Sequence, residues 1–118
     1  MKSIRFEVEG VKEPYGWSGT ITSEPFLGMA MYWHQPVIKD KGDALYFLEI
    51  WLIKDVDENI ILSGYDEGET RLQNGTFTGN GKVIYAAEGW KHLIGLKEQC
   101  EGKANLEAMT FTGNIQIN

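Results

Sequence analysis

Ala44-Leu45-Tyr46-Phe47-Leu48-Glu49-Ile50-Trp51-Leu52-Ile53 is the most apolar run of the chain, and Glu49 is its one charge. The run falls well short of the roughly 20 apolar residues that a membrane-crossing helix needs. Read as a strand, it places Phe47, Glu49 and Trp51 on one face and Leu48, Ile50 and Leu52 on the other. A strand apolar on both faces needs cover on both: a core on one side, a partner subunit or a loop on the other. A carboxylate is costly to bury unless it is paired, hydrogen-bonded or protonated. Glu49 is therefore either a polar anchor in an apolar pocket or an exposed residue of the outer face. Strand spacing fixes its neighbours but not its side.

Outward from this run, the sequence reads as further strands. Lys2 to Gly10 alternates, with Ile4, Phe6 and Val8 opposed to Ser3, Arg5, Glu7 and Glu9. Tyr15 to Thr22 sets Trp17, Gly19 and Ile21 against Ser18, Thr20 and Thr22. Phe26 to Gln35 is a third strand closed by Pro36; one face carries Tyr32 and His34, the other Met29, Met31, Trp33 and Gln35. Ala44 to Lys54 is the fourth and Ile60 to Tyr65 the fifth, with Asp66 to Asn74 prolonging it or looping. A sixth begins at Gly75 to Thr78 and stops at Gly79-Asn80-Gly81, read as a turn because both glycines tolerate positive φ. Lys82 to Ala87 reads as one helical turn, Gly89 to Lys97 as the seventh strand, Glu98 to Asn105 as a connector and Leu106 to Ile117 as the eighth strand.

No linker, composition shift or repeat divides the 118 residues, so residues 1–118 form a single domain. Abundant glycine, four tryptophans and no helical periodicity point to an all-β chain with tight turns and little helix. Eight strands must hide their edges, and closure into an antiparallel up-and-down β-barrel does so completely. An eight-stranded barrel has room for one small ligand. A β-sandwich is the alternative.

The formal net charge is −6 and there is no basic cluster, which excludes nucleic acid and anionic membranes as expected partners. Cys100 has no second cysteine to pair with, and the first residues lack the apolar run of a signal peptide. Both features predict a cytoplasmic protein.

The segment Gly79-Asn80-Gly81-Lys82-Val83-Ile84-Tyr85-Ala86-Ala87-Glu88-Gly89 resembles a glycine pattern of the allene oxide cyclase and dirigent barrels, a calycin-type superfamily. Those families place Gly-x-Gly, an aromatic and then Ala-x-Gly before a late strand; here Ala87-Glu88-Gly89 falls one residue further on. The resemblance implies a barrel that binds a small molecule, cyclises it or guides its stereochemistry, often as an oligomer. No active-site residue is carried over from it.

Candidate chemistry rests on few residues. Glu49 facing an apolar lumen has the raised pKa of a general acid or base. Tyr32 and His34, on one face of the neighbouring strand, are its candidate catalytic partners. Trp17, Trp33, Phe47, Trp51, Trp90 and His92 are candidate ligand-binding residues, aromatic walls with one polar group. The ligand they suit is a small hydrophobic molecule. Two histidines and one cysteine do not make a structural zinc site, so no metal or other cofactor is expected. Asp66, Glu67 and Glu69 read as a solvated turn, and Cys100 as incidental in a polar connector. The outward Leu48, Ile50 and Leu52 predict a homo-oligomer. Three functions follow: a binding barrel, a cyclase or isomerase using a buried glutamate, or an interaction module whose lumen is filled.

Overall fold

The computed structural model describes residues 3–118; Lys2, where the expected first strand begins, lies outside the described residues. Eight strands form: β1 (Ile4–Glu13), β2 (Gly16–Ile21), β3 (Ala30–Asp40), β4 (Ala44–Lys54), β5 (Ile60–Arg71), β6 (Thr76–Ala86), β7 (Lys97–Asn105) and β8 (Thr110–Ile117). Each pairs antiparallel with the next, and β8 closes onto β1 from Ile4↔Ile117 to Val11↔Thr110. The molecule is an all-β, eight-stranded up-and-down barrel, not a sandwich. Among the described residues there is no α-helix, only a 3₁₀ turn at Lys91–Leu93.

The alternation expected in the first two strands places Phe6, Val8 and Ile21 in the lumen, all buried. In β3 the inward face carries Met31 and Trp33, and in β4 it carries Phe47, Glu49, Trp51 and Ile53. The outward faces of β1 and β7 carry Arg5, Glu7, Glu9, Glu101 and Lys103, all exposed. A lipid-facing band does not hold such charges.

The chain between residues 79 and 105 differs from its sequence reading. Gly79-Asn80-Gly81 is not a turn and Lys82 to Ala87 is not a helical turn; both lie inside β6. Neither glycine has positive φ. Gly79 is needed for close approach instead: a Cβ there would stand 2.8 Å from Cys100 Sγ and 3.3 Å from Asp66 Oδ1. The real reversal comes later, where Gly89 and Gly95 take φ of 93° and 86° on either side of the 3₁₀ turn. Residues 89–96, expected as a strand, therefore form a cap with Leu93 fully buried. The expected connector, in turn, is β7. Its alternation of Glu98, Cys100 and Ala104 inward with Lys97, Gln99, Glu101 and Lys103 outward is that of a half-buried strand.

The two ends of the lumen are finished differently. At the end holding the β2–β3, β4–β5 and β6–β7 connections, Phe6, Phe26, Met31, Ile53, Leu62 and Leu93 are 0–1% exposed and form an apolar plug. Phe26 meets Phe6 edge-on at 5.2 Å and Trp90 at 4.8 Å. At the other end Trp17, Trp33 and Phe77 surround Phe111, with centroids 5.4, 5.2 and 6.1 Å away. Trp17 and Phe77 are only half-buried there, so this end is the mouth.

Candidate functional site: an acidic layer beneath an aromatic mouth

Between plug and mouth the lumen carries three buried carboxyls. Glu49, Asp66 and Glu98 are 4%, 0% and 0% exposed, and they are the buried charged residues among those described. Strand register brings them together. Glu49 on β4 is paired with Asp66 on β5, Asp66 with Gly81 on β6, and Gly81 with Glu98 on β7. Gly81 carries no side chain, which leaves the space between Asp66 and Glu98 open to their own carboxyls. One row nearer the mouth, Gly79 pairs with Cys100, whose thiol is buried beside the same group.

Glu49 is held by a local irregularity. The β3–β4 register runs from His34↔Ile50 to Val37↔Leu48, so Gln35 and Pro36 together oppose Glu49. Gln35 faces inward in phase with Met31 and Trp33, and the bulge sets it opposite Glu49. Its Nε2 donates to Glu49 Oε1 at 3.0 Å. Pro36 has no N–H to leave unpaired at the break in the ladder. On the plug side Trp51 lies against Gly64, where a Cβ would fall 2.5 Å from the indole ring. In that position the indole Nε1 donates to Glu98 Oε1 at 3.2 Å.

No donor from the described side chains or backbone reaches either oxygen of Asp66 or Oε2 of Glu98. Among the described residues, three acids are thus buried with two hydrogen bonds from other residues and no buried basic side chain beside them. Desolvation, reinforced by the charge of Asp66, pushes Glu49 well above the usual carboxylate range. The same two causes, in the same order, raise Glu98 to about 11. At about 11, Glu98 holds its proton at neutral pH, and burial shifts Glu49 in the same direction. Burial, again followed by Asp66, also raises the Cys100 thiol, which is not the activated thiolate of a nucleophile.

A cavity of about 50 Å³ lies on the mouth side of this layer, lined by Glu49, Gln35 and Cys100 at one end and by Trp17, Trp33, Phe77 and Phe111 at the other. Drug-sized ligands occupy pockets of about 300–1,000 Å³. The space beneath the rim has room for an ion, a few waters or one small head group.

Glu49, Trp17 and Trp33 are the expected site residues that the fold brings to this cavity. Phe47 and Trp51 are buried in the lumen but do not line it. Tyr32 and His34 do not approach Glu49. They lie on the exposed outer face of β3, because alternation sends their neighbours Met31 and Trp33 inward. Trp90 caps the plugged end, and His92 stacks on it at 6.2 Å while exposed to solvent. Asp66 is not in a solvated turn, and Cys100 is not in a connector; both face the lumen. The outward β4 residues Leu48 and Leu52 are half-buried and Ile50 is 50% exposed.

Asp66, Glu98 and Cys100 are the site residues that the sequence reading missed. The signal was present as period-two patterning. Leu62, Gly64, Asp66 and Gly68 alternate with Ser63, Tyr65, Glu67 and Glu69, and the small and apolar neighbours mark the Asp66 face as internal. No family model matches the chain, and no curated protein or solved structure matches it either.

Proposed function

We propose that the protein is a small-molecule-binding barrel that takes its ligand at the mouth. The ligand's apolar body rests against Trp17, Trp33, Phe77 and Phe111, and a hydrogen-bond-donating head reaches toward Glu49. The observation that carries this reading is the cavity joining four aromatic rings to one lumen carboxyl. Apolar walls with a few convergent polar groups are the general form of a ligand site. The resemblance of residues 79–89 to the allene oxide cyclase and dirigent barrels points the same way.

Toluene, benzyl alcohol and benzylamine make a graded probe set, read by tryptophan fluorescence. The two donor-bearing probes are expected to bind more tightly than toluene. Trp33→Leu should weaken all three, and Glu49→Leu, which leaves no acceptor at that position, should remove the advantage of the two donors, roughly tenfold or about 1.4 kcal/mol. Absence of binding by all three, or indifference to Trp33→Leu, rejects the reading.

A cyclase or isomerase is the second reading, and one feature favours it. Burial pushes the Glu49 carboxyl well above the usual carboxylate range and it faces the cavity, as a general acid requires. Under that reading Glu49→Gln abolishes turnover of a bound substrate while leaving its affinity nearly unchanged. Self-association through the outward face of β4 around Ile50 completes the proposal; a monomer in sedimentation at micromolar concentration removes it.

A further inference from the structure

Among the described residues, three acids share the lumen with no lysine, arginine or histidine buried beside them. Burying like charges without a counter-charge is strongly unfavourable, so something outside the polypeptide has to neutralise the layer. Protons can do this. The geometry also suits a cation. One carboxylate oxygen each from Glu49 and Asp66 and the Sγ of Cys100 lie within 4.8 Å of one another. Asp66 is the residue that most requires a partner, being fully buried with neither oxygen met by an N–H. Two of the three groups, Glu49 and Cys100, also form the floor of the cavity, so a position facing the mouth stays open.

We propose that Glu49, Asp66 and Cys100 form a mononuclear site for a thiophilic divalent metal ion of the zinc and cobalt class. The donor set selects the ion. A thiolate disfavours magnesium and calcium, which take oxygen ligands, and suits zinc or cobalt. Three protein ligands with one open position are the arrangement of metal sites that hold a water or a small ligand in the fourth place. Occupancy releases the Cys100 proton to solvent as the metal–sulfur bond forms, and Glu49 and Asp66 bind as carboxylates. Glu98 lies outside the ligand set, with Oε1 already engaged by Trp51. The metal site shares Glu49 with the proposed mouth ligand but needs none of the aromatic rings.

Cobalt(II) is the probe, added to the chelator-stripped full chain. Binding is expected at one equivalent, with the visible bands of a four-coordinate ion and a near-ultraviolet sulfur-to-cobalt charge-transfer band. Cys100→Ser should eliminate the charge-transfer band, and Asp66→Asn should weaken binding at least a hundredfold. Zinc should displace the cobalt and raise the melting temperature of the wild-type chain. Absence of the charge-transfer band in the wild-type protein overturns the proposal whatever the variants do. Binding that Cys100→Ser leaves spectrally unchanged overturns it as well. Because the wild-type spectrum alone decides, a variant that fails to fold does not shelter the proposal. Trp33→Leu, which disables the mouth, should leave the cobalt spectrum intact, so failure of one reading is distinguishable from failure of the other.

Discussion

The two halves of the lumen solve opposite problems with the same strands. Toward the plug, β3, β4 and β5 present Met31, Ile53 and Leu62, each completely buried and purely apolar. A few residues toward the mouth, the same strands present Gln35, Glu49 and Asp66. The plugged half gains from removing apolar area from water, about 25 cal/mol per Å². The acidic half loses stability, because each carboxyl gives up hydration for at most one hydrogen bond from another residue. A barrel needing only to be stable would fill both halves alike. Under the proposed readings stability resides at one end and chemistry at the other, an asymmetry that experiment can test.

The largest effect is expected in the plug. Phe26 is fully buried and packs edge-on against Phe6 and at a tilt against Trp90. Phe26→Ala should cost about 3–5 kcal/mol in urea denaturation, the usual range for a buried phenylalanine. Zinc or cobalt binding in the folded variant should survive. A loss below about 1 kcal/mol would mean that the end is not closed by packing.

The acidic half should reveal itself through pH. Burial raises Glu98 from 4.5 to about 11, so between those values the folded chain retains a proton that the unfolded chain has released. Its contribution is complete below pH 4.5 and is lost as pH rises toward 11, by about 1.4 kcal/mol per pH unit. Glu49 is shifted in the same direction and steepens the fall. Denaturation midpoints of the chelator-stripped chain should therefore decline from pH 5 to pH 9, and Glu98→Gln should flatten the profile. A midpoint that rises with pH would show the layer to be ionised and otherwise compensated.

How far the sequence foretold this asymmetry depends on the residue. The all-β class and the barrel were legible because Ile4, Phe6 and Val8, or Trp17 and Ile21, alternate with polar residues as half-buried strands must. Glu49 stood out because its neighbours were all apolar. Asp66 and Glu98 did not, because an inward acid beside outward polar residues, Glu67 for the one and Lys97 and Gln99 for the other, looks like a solvated turn or a connector. Their burial is a tertiary fact, created when β5, β6 and β7 align around Gly81. The glycines of β6 misled for a related reason. They were read as giving backbone freedom, whereas their role is to leave room for opposing side chains. Tyr32 and His34 were placed on the wrong side because strand spacing alone does not say which face turns inward.

Gly79→Ala sharpens the boundary between the two readings of that glycine. Its new methyl would press on Cys100 Sγ and Asp66, which have little room to retreat. Overpacking of this kind costs about 1–3 kcal/mol. The same variant should weaken the cobalt charge-transfer band. If Gly79 were a turn residue outside the lumen, stability would change while the spectrum stayed as in the wild type.

The smallest effect is expected outside the barrel, and it separates inner from outer faces of a single strand. Trp33 and His34 are adjacent in β3, yet one is 6% exposed at the cavity and the other faces solvent. Tyr32, 40% exposed, has Lys54 Nζ 5.7 Å above its ring, a contact that phenylalanine keeps. His34→Ala and Tyr32→Phe should each change stability by no more than about 0.5 kcal/mol, as surface substitutions do. Both should leave probe binding and the cobalt spectrum unaltered, whereas Trp33→Leu weakens probe binding. Loss of probe affinity in His34→Ala would place that imidazole at the ligand after all. The face assignment of β3, and with it the mouth as the binding end, would then have to be reversed.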